Sequence, residues 1–100
     1  MNKPPFETLL LGSRPFDLGQ ILATRGALED LHPADRSHAL GRHATGDWGD
    51  CDLEDRNMND DALENGDRLL SVYHDRNGTK FWIITEAERS VTTILLPDEY

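Results

Sequence analysis

Acidic side chains crowd into one stretch of this 100-residue chain, and carboxylates can bind a basic partner, transfer protons or hold a metal. The stretch GDWGDCDLEDRNMNDDALENGD, residues 46–67, holds nine carboxylates against one base, Arg56, a formal charge of −8 where the whole chain carries −9. Its acidic residues are Asp47, Asp50, Asp52, Glu54, Asp55, Asp60, Asp61, Glu64 and Asp67. We predict that they bind a basic protein surface with Trp48 as an aromatic anchor. A solvated helix face without a target is the alternative.

A calcium loop is a second interpretation of the same stretch. Counted from Asp50, the residues Asp52, Glu54 and Asp61 fall on the third, fifth and twelfth positions of such a loop. The sixth position requires glycine for a sharp turn, and Asp55 stands there. The spacing therefore predicts no metal site, and nothing else in the chain predicts a cofactor.

Histidines and the single cysteine offer little further chemistry. His38 and His43 are five residues apart, a spacing that does not align them on one helix face, and no zinc-binding spacing occurs. We predict that all four histidines are exposed or partly buried. Cys51 lies between two aspartates, whose charges oppose the thiolate that a nucleophile needs.

A ribonuclease-like site is a further alternative, because basic and acidic groups on a small sheet can cleave RNA when they converge. The candidate residues are Arg68, Tyr73, His74, Lys80, Glu86 and Arg89. The net charge of −9 would repel a nucleic acid, which requires a basic footprint. We therefore predict a protein that is not an enzyme and does not bind nucleic acid directly, and a small nuclease or toxin-like enzyme remains the alternative.

Three β-strands are predicted in the last third of the chain. RLLSVYHD and TKFWIITE are rich in β-branched and aromatic residues, and the RNG between them is a strong hairpin signal. VTTILLP is a third strand that ends at Pro97. Consecutive strands with short turns predict an antiparallel meander.

Helices are predicted before the meander. Thr24 and Asp52 can cap helices, Pro33 suits a first helical position, and Gly66 suits a helix end. The fold class is therefore α+β: N-terminal helices packed on a C-terminal three-stranded antiparallel meander, with one N-terminal strand over residues 17–24 as an added element. Residues 1–16 are predicted as an irregular lead-in, and residues 17–100 as a single domain.

Composition favours a cytoplasmic protein. One cysteine cannot form an intrachain disulfide, and the chain has neither a secretory leader nor an apolar run long enough for a membrane span. Both faces of the predicted sheet are apolar, because Phe81 and Ile83 alternate with Trp82 and Ile84. Helices that cover one face leave the other as a candidate homodimer surface.

The segments GDWGD, ITEAERS and TTILLP give the chain a resemblance to a family of small uncharacterised bacterial proteins, plasmid-related proteins encoded on plasmids and other mobile elements. The resemblance covers roughly residues 17–100. The family has no assigned activity, so it contributes no catalytic residue. Because mobile elements carry small proteins that counter host defence, the resemblance implies an anti-defence role, against a CRISPR or a restriction complex. In that role the acidic residues would occupy a basic, nucleic-acid-binding surface.

Overall fold

The computed structural model describes residues 15–100, which form three helices and one sheet. The predicted lead-in over residues 1–16 lies outside the described residues except for Pro15 and Phe16. The elements are β1 (Gln20–Ala23), α1 (Arg25–Asp30), α2 (Pro33–Ala44), α3 (Leu53–Asn65), β2 (Leu69–His74), β3 (Lys80–Thr85) and β4 (Val91–Leu95), followed by a 3-10 turn at Pro97–Glu99.

Helix boundaries follow the predicted capping residues. The side chain of Thr24 accepts a hydrogen bond from the first turn of α1, and α2 begins at Pro33. Asp52 accepts from the backbone N–H of Asp55 at 2.9 Å and so caps α3. Gly66 ends α3 in the left-handed conformation, with φ of +77°, which a residue without a side chain adopts freely. These predictions are confirmed.

The sheet has four strands in the order β1-β4-β3-β2. The pairs β2·β3 and β3·β4 are antiparallel, as the meander predicts. β1 pairs with β4 in parallel, with Gln20 opposite Val91 and Ala23 opposite Ile94. The α+β class is therefore confirmed, but the sheet of three antiparallel strands is wrong. Local patterns identify a strand without identifying its distant neighbour, so the parallel pair was not predicted.

A tight turn joins β2 to β3 at the predicted position. The backbone carbonyl of Asp75 accepts from the N–H of Gly78 at 2.9 Å, and the carboxylate of Asp75 accepts from the N–H groups of Asn77 and Thr79. Gly78 has φ of +84°, as this kind of turn requires. The hairpin prediction is confirmed.

Apolar side chains form two clusters on the face of the sheet that the helices cover. The first packs α1 and α2 against the middle strands and contains Ala27, Leu31, Ala39, Tyr73, Phe81, Ile83 and Ile94. The second lies where the end of α2, the end of α3 and the start of β2 meet, and it contains Phe16, Leu18, Ala44, Trp48, Ala62 and Leu69. Through Trp48 and Ala62, the second cluster holds the acidic stretch against the start of β2.

The second face of the sheet is covered in part by the end of the chain. The ring of Tyr100 packs edge-on against Trp82, with ring centroids 5.7 Å apart, and Arg68 lies over the other side of the tyrosine ring. Ile84 on this face is buried. None of the helices within residues 15–100 has the length and the apolar character needed to cross a membrane.

Candidate functional site

One side of the acidic stretch seals an edge of the sheet. β2 is an edge strand, so the N–H and C=O groups on its outer side need partners. The side-chain amide of Asn59, on α3, donates to the carbonyl of Leu70 at 2.8 Å and accepts from the N–H of Leu70 at 2.9 Å. A single asparagine therefore satisfies both backbone groups of one edge residue.

The loop before α3 completes the same seal. The carbonyl of Trp48 accepts from the N–H of Val72 at 3.0 Å, and the N–H of Asp50 donates to the carbonyl of Val72 at 2.6 Å. Between them Gly49 has φ of +80°, and a Cβ there would lie 1.9 Å from the carbonyl oxygen of Val72. Only glycine permits this approach, so the GDWGD motif has a structural reason for its second glycine.

Trp48 lies in the core and not on the surface. Its side chain is 4% exposed, and its ring lies against Phe16 and His43. The indole Nε1 donates to the carboxylate of Asp60 at 2.8 Å. Trp48 was predicted as an anchor for a partner, but its burial leaves its ring no surface for one. Asp60 is turned toward the same indole and is part of the fold.

Three further carboxylates have partners within the chain. Asp47 forms a two-pronged ion pair with Arg42, at 2.7 and 3.2 Å, and these hydrogen bonds lower the pKa of Asp47. Asp50 pairs with Nδ1 of His74 at 2.9 Å. Asp52 caps α3. Their positions are explained by local structure, although all three remain exposed.

Five carboxylates have no such explanation, and we call them the acidic face. They are exposed, and within residues 15–100 no ion pair or side-chain hydrogen bond occupies their carboxylate oxygens. The five are Glu54, Asp55, Asp61, Glu64 and Asp67. The only base of the stretch, Arg56, forms no ion pair with them, and its guanidinium donates to the carbonyls of Cys51 and Gly49. Their charge is therefore available to a partner.

The end of α3 receives a cation from a distant turn. Arg89, between β3 and β4, donates from its guanidinium to the carbonyls of Ala62 and Asp67 at 3.3 and 2.6 Å. A positive charge at this end stabilises a helix, because the helix dipole is negative there. Arg89 binds backbone carbonyls and no carboxylate. It therefore reduces the unfavourable interaction of Asp61 and Glu64 with the negative end of the helix dipole without pairing with them.

A groove of about 460 Å³ opens between α3 and the outer side of β2, and we call it the α3–β2 groove. Leu70 and Val72 of β2 and Ala62 of α3 give it an apolar surface, and Met58 adds an exposed thioether. The remaining lining residues are Cys51, Asp55, Asn59, Asp61, Asp67 and Arg68. Three carboxylates of the acidic face therefore border an apolar depression.

A buried polar chain lies on the other side of the same region. Nδ1 of His43 lies 2.6 Å from the hydroxyl of Ser71, and Nε2 lies 2.8 Å from the hydroxyl of Thr85. The hydroxyl of Thr85 lies 2.7 Å from that of Thr92, which donates to the carbonyl of Leu18 at 2.6 Å. We call these five residues the polar chain; its four polar side chains are fully buried.

Proton positions in the polar chain follow from its last member. Since the carbonyl of Leu18 only accepts, Thr92 uses its one proton there, and Thr85 must donate to Thr92. Thr85 then accepts from Nε2–H of His43; because burial keeps the imidazole neutral, Nδ1 carries no proton and accepts from Ser71. The network holds His43 as the neutral Nε2–H tautomer.

His43 corrects the prediction that every histidine is exposed or partly buried. Its side chain is 0% exposed, and burial, with a smaller contribution from the charge of Arg89, lowers its pKa to about 4. The Ser71–His43 pair resembles a nucleophile and its base, but solvent reaches neither group. Cys51 has a separate environment, where its thiol donates to the carbonyl of Trp48 at 3.6 Å.

The residues proposed for RNA cleavage do not converge. His74 and Lys80 lie opposite each other at one end of the hairpin, while Glu86 and Arg89 lie at the other end. Tyr73 points into the core and is 1% exposed. Nor does any group of three or more potential metal ligands come together within residues 15–100. The six residues therefore do not form one acid–base set.

Sequence reasoning predicted Asp55, Asp61 and Asp67 of the α3–β2 groove as partner-binding residues and missed the other residues that line it. Met58 was not among the predicted site residues, yet its side chain is 63% exposed. The available signal was weak: Asp55, Met58, Asn59 and Ala62 share one helix face through spacings of three and four. Nothing in the sequence indicated that this face lies beside β2.

Comparison with protein-family models, with curated proteins and with solved structures finds no match for this chain.

Proposed function

We propose that this protein is not an enzyme and that it binds a basic surface of another protein through the acidic face. The observation that carries the proposal is the division of the acidic stretch into two groups. Asp47, Asp50, Asp52 and Asp60 have partners within the fold, whereas the five carboxylates of the acidic face have none within residues 15–100. Folding explains the first group and leaves the second for a partner.

The partner class we propose is a nucleic-acid-binding protein, because such proteins present clustered lysine and arginine side chains. Carboxylates on a helix can take the place of phosphates there. An inhibitor of a host defence complex is the specific form of this proposal, and it depends on the resemblance to proteins of mobile elements. The chain itself, with a net charge of −9, is not suited to bind DNA or RNA.

The test compares two variants with the same net charge. The first neutralises three of the five carboxylates of the acidic face, with Asp61→Asn, Glu64→Gln and Asp67→Asn. The control neutralises three exposed carboxylates elsewhere, with Asp17→Asn, Glu29→Gln and Asp30→Asn. Each protein serves as bait at low salt in a lysate of the native host, and the captured partner is then titrated against all three forms.

The first variant should weaken binding by roughly 1–3 kcal/mol, about five-fold to a hundred-fold in Kd, if each exposed pair contributes up to about 1 kcal/mol. The control should bind like the wild type. Binding should also weaken with salt, since the Debye length falls from about 30 Å at 0.01 M to about 8 Å at 0.15 M. Equal Kd values for both variants, without salt dependence, would show that the acidic face is only a solubility feature.

A further inference from the structure

We propose that the α3–β2 groove is the place where the partner inserts an apolar side chain from a basic amphipathic helix; this inference rests on the proposed function. The groove joins two features that one ligand can satisfy together. Its surface between α3 and β2 is apolar, and its border carries Asp55, Asp61 and Asp67. An apolar side chain between lysines or arginines complements both.

The apolar part is large enough for a side chain. The volume of about 460 Å³ lies within the range of protein sites that bind small groups. Leu70 and Val72 are only partly covered by the rest of the chain, and Met58 is 63% exposed. An exposed methionine suits a binding groove, because its flexible side chain adapts to the shape of a ligand.

The border has an excess of negative charge. Among residues 15–100, Arg68 is the one basic residue that lines the groove, and its guanidinium contacts the hydroxyl and the ring of Tyr100. It forms no ion pair with the three aspartates, and its single positive charge leaves the border with a formal charge of −2. The border attracts a cationic ligand electrostatically and repels an acidic one.

Backbone hydrogen bonding excludes strand addition at this edge. The outer N–H and C=O groups of Leu70 are taken by Asn59, and those of Val72 are taken by Trp48 and Asp50. An extended peptide that adds to a sheet needs those groups free. The partner must therefore bind through side chains, and a helix presents one apolar residue between basic residues three and four positions away.

Two synthetic helical peptides of about 12 residues test the inference. In both peptides, lysines three and four positions away flank two sites four residues apart on the same helix face; the first peptide has leucines at the two sites, and the second has alanines. The leucine peptide should bind roughly tenfold more tightly than the alanine peptide, because only leucine buries substantial apolar area in the groove.

Two matched substitutions on α3 locate the contact. Met58→Gln changes a residue that lines the groove, whereas Leu53→Gln changes an equally exposed residue that does not. Met58→Gln should remove most of the preference for leucine, and Leu53→Gln should preserve it. Neither should change binding of the alanine peptide.

Cys51 supplies an independent readout, because it lines the groove and is the only cysteine of the chain. The leucine peptide should slow alkylation of its thiol, and the alanine peptide at equal occupancy should not. Equal Kd values for the two peptides, together with equal alkylation rates, would overturn the proposal that the groove binds an apolar side chain. If both peptides still bound in a salt-dependent way, the proposed function would stand. Failure of both peptides to bind at low salt would overturn both proposals.

Discussion

The polar chain around His43 and the acidic face of α3 are both built from polar side chains, in opposite surroundings. Every polar side-chain group of the polar chain has a partner inside the fold. The carboxylates of the acidic face have no ion-pair partner within residues 15–100. The difference separates polar residues that the fold requires from polar residues that it only tolerates, and function is to be sought among the second.

Removal of the imidazole should have the largest effect on stability. His43→Ala leaves Ser71 and Thr85 without one partner each and opens a cavity among Phe16 and Trp48. The free energy of unfolding should fall by roughly 3–5 kcal/mol. His38→Ala, an exposed substitution on the same helix, should change it by less than about 0.5 kcal/mol. Urea denaturation measures both changes. Similar losses for the two variants would show that the buried polar chain does not stabilise the fold more than an exposed residue does.

Acidification should have the next largest effect, because the folded state holds His43 neutral. The pKa of His43 is about 4 in the folded chain and 6.5 in the unfolded chain. Between pH 4 and pH 6.5 the unfolded chain therefore binds more protons than the folded one. Stability should be complete above pH 6.5 and should fall as the pH approaches 4, by roughly 3 kcal/mol in total.

Carboxylates whose pKa is lowered by folding act in a different pH window. Hydrogen bonds from Arg76 lower the pKa of Asp35 to about 2, so its contribution is lost only below about pH 4. Denaturation curves at pH 7, 5.5 and 4.5 therefore isolate His43. A flat stability profile over this range would contradict the neutral, buried imidazole.

Asn59→Ala should have an intermediate effect. It removes both side-chain hydrogen bonds to Leu70 and leaves two edge groups of β2 unsatisfied. The expected loss is roughly 1–3 kcal/mol. Asn57→Ala, on the exposed side of α3, is the matched control and should be nearly neutral. If the two variants unfold at the same urea concentration, the edge seal does not depend on Asn59.

Neutralising three carboxylates of the acidic face should have the smallest effect on stability. Asp61→Asn, Glu64→Gln and Asp67→Asn together should leave the free energy of unfolding unchanged or raise it by a few tenths of a kcal/mol, about the size of like-charge repulsion on a helix. Thermal unfolding at low salt measures this change. A loss of more than about 1 kcal/mol would mean that these carboxylates support the fold and would weaken their assignment to a partner.

Local signals predicted local structure well. Pro33, Asp52 and Gly66 placed the ends of α2 and α3, and the Asn77-Gly78 pair placed the hairpin. These features depend on a few neighbouring residues, whose conformational preferences can be read directly from their types.

Features that join distant residues were not predictable in the same way. The parallel pairing of β1, the burial of His43 against Ser71 and the contact of Asn59 with Leu70 each depend on how separate elements meet. Trp48 shows the same limit, because its place in the core is set by residues far from it in sequence. The acidic stretch was recognised, but only the fold divides its carboxylates into paired and unpaired groups.

The pairing of β1 with β4 sets the order in which the chain can fold during synthesis. β2, β3 and β4 are joined by short turns and can assemble soon after they are made, whereas β1 must wait for the last strand. α1 has six residues, too few for a helix to persist alone. The last connection is the carboxylate of Glu99, which accepts from the backbone N–H of Gly26. A nascent chain that stops before β4 therefore leaves β1 without the strand that it pairs with, where cellular proteases can reach it.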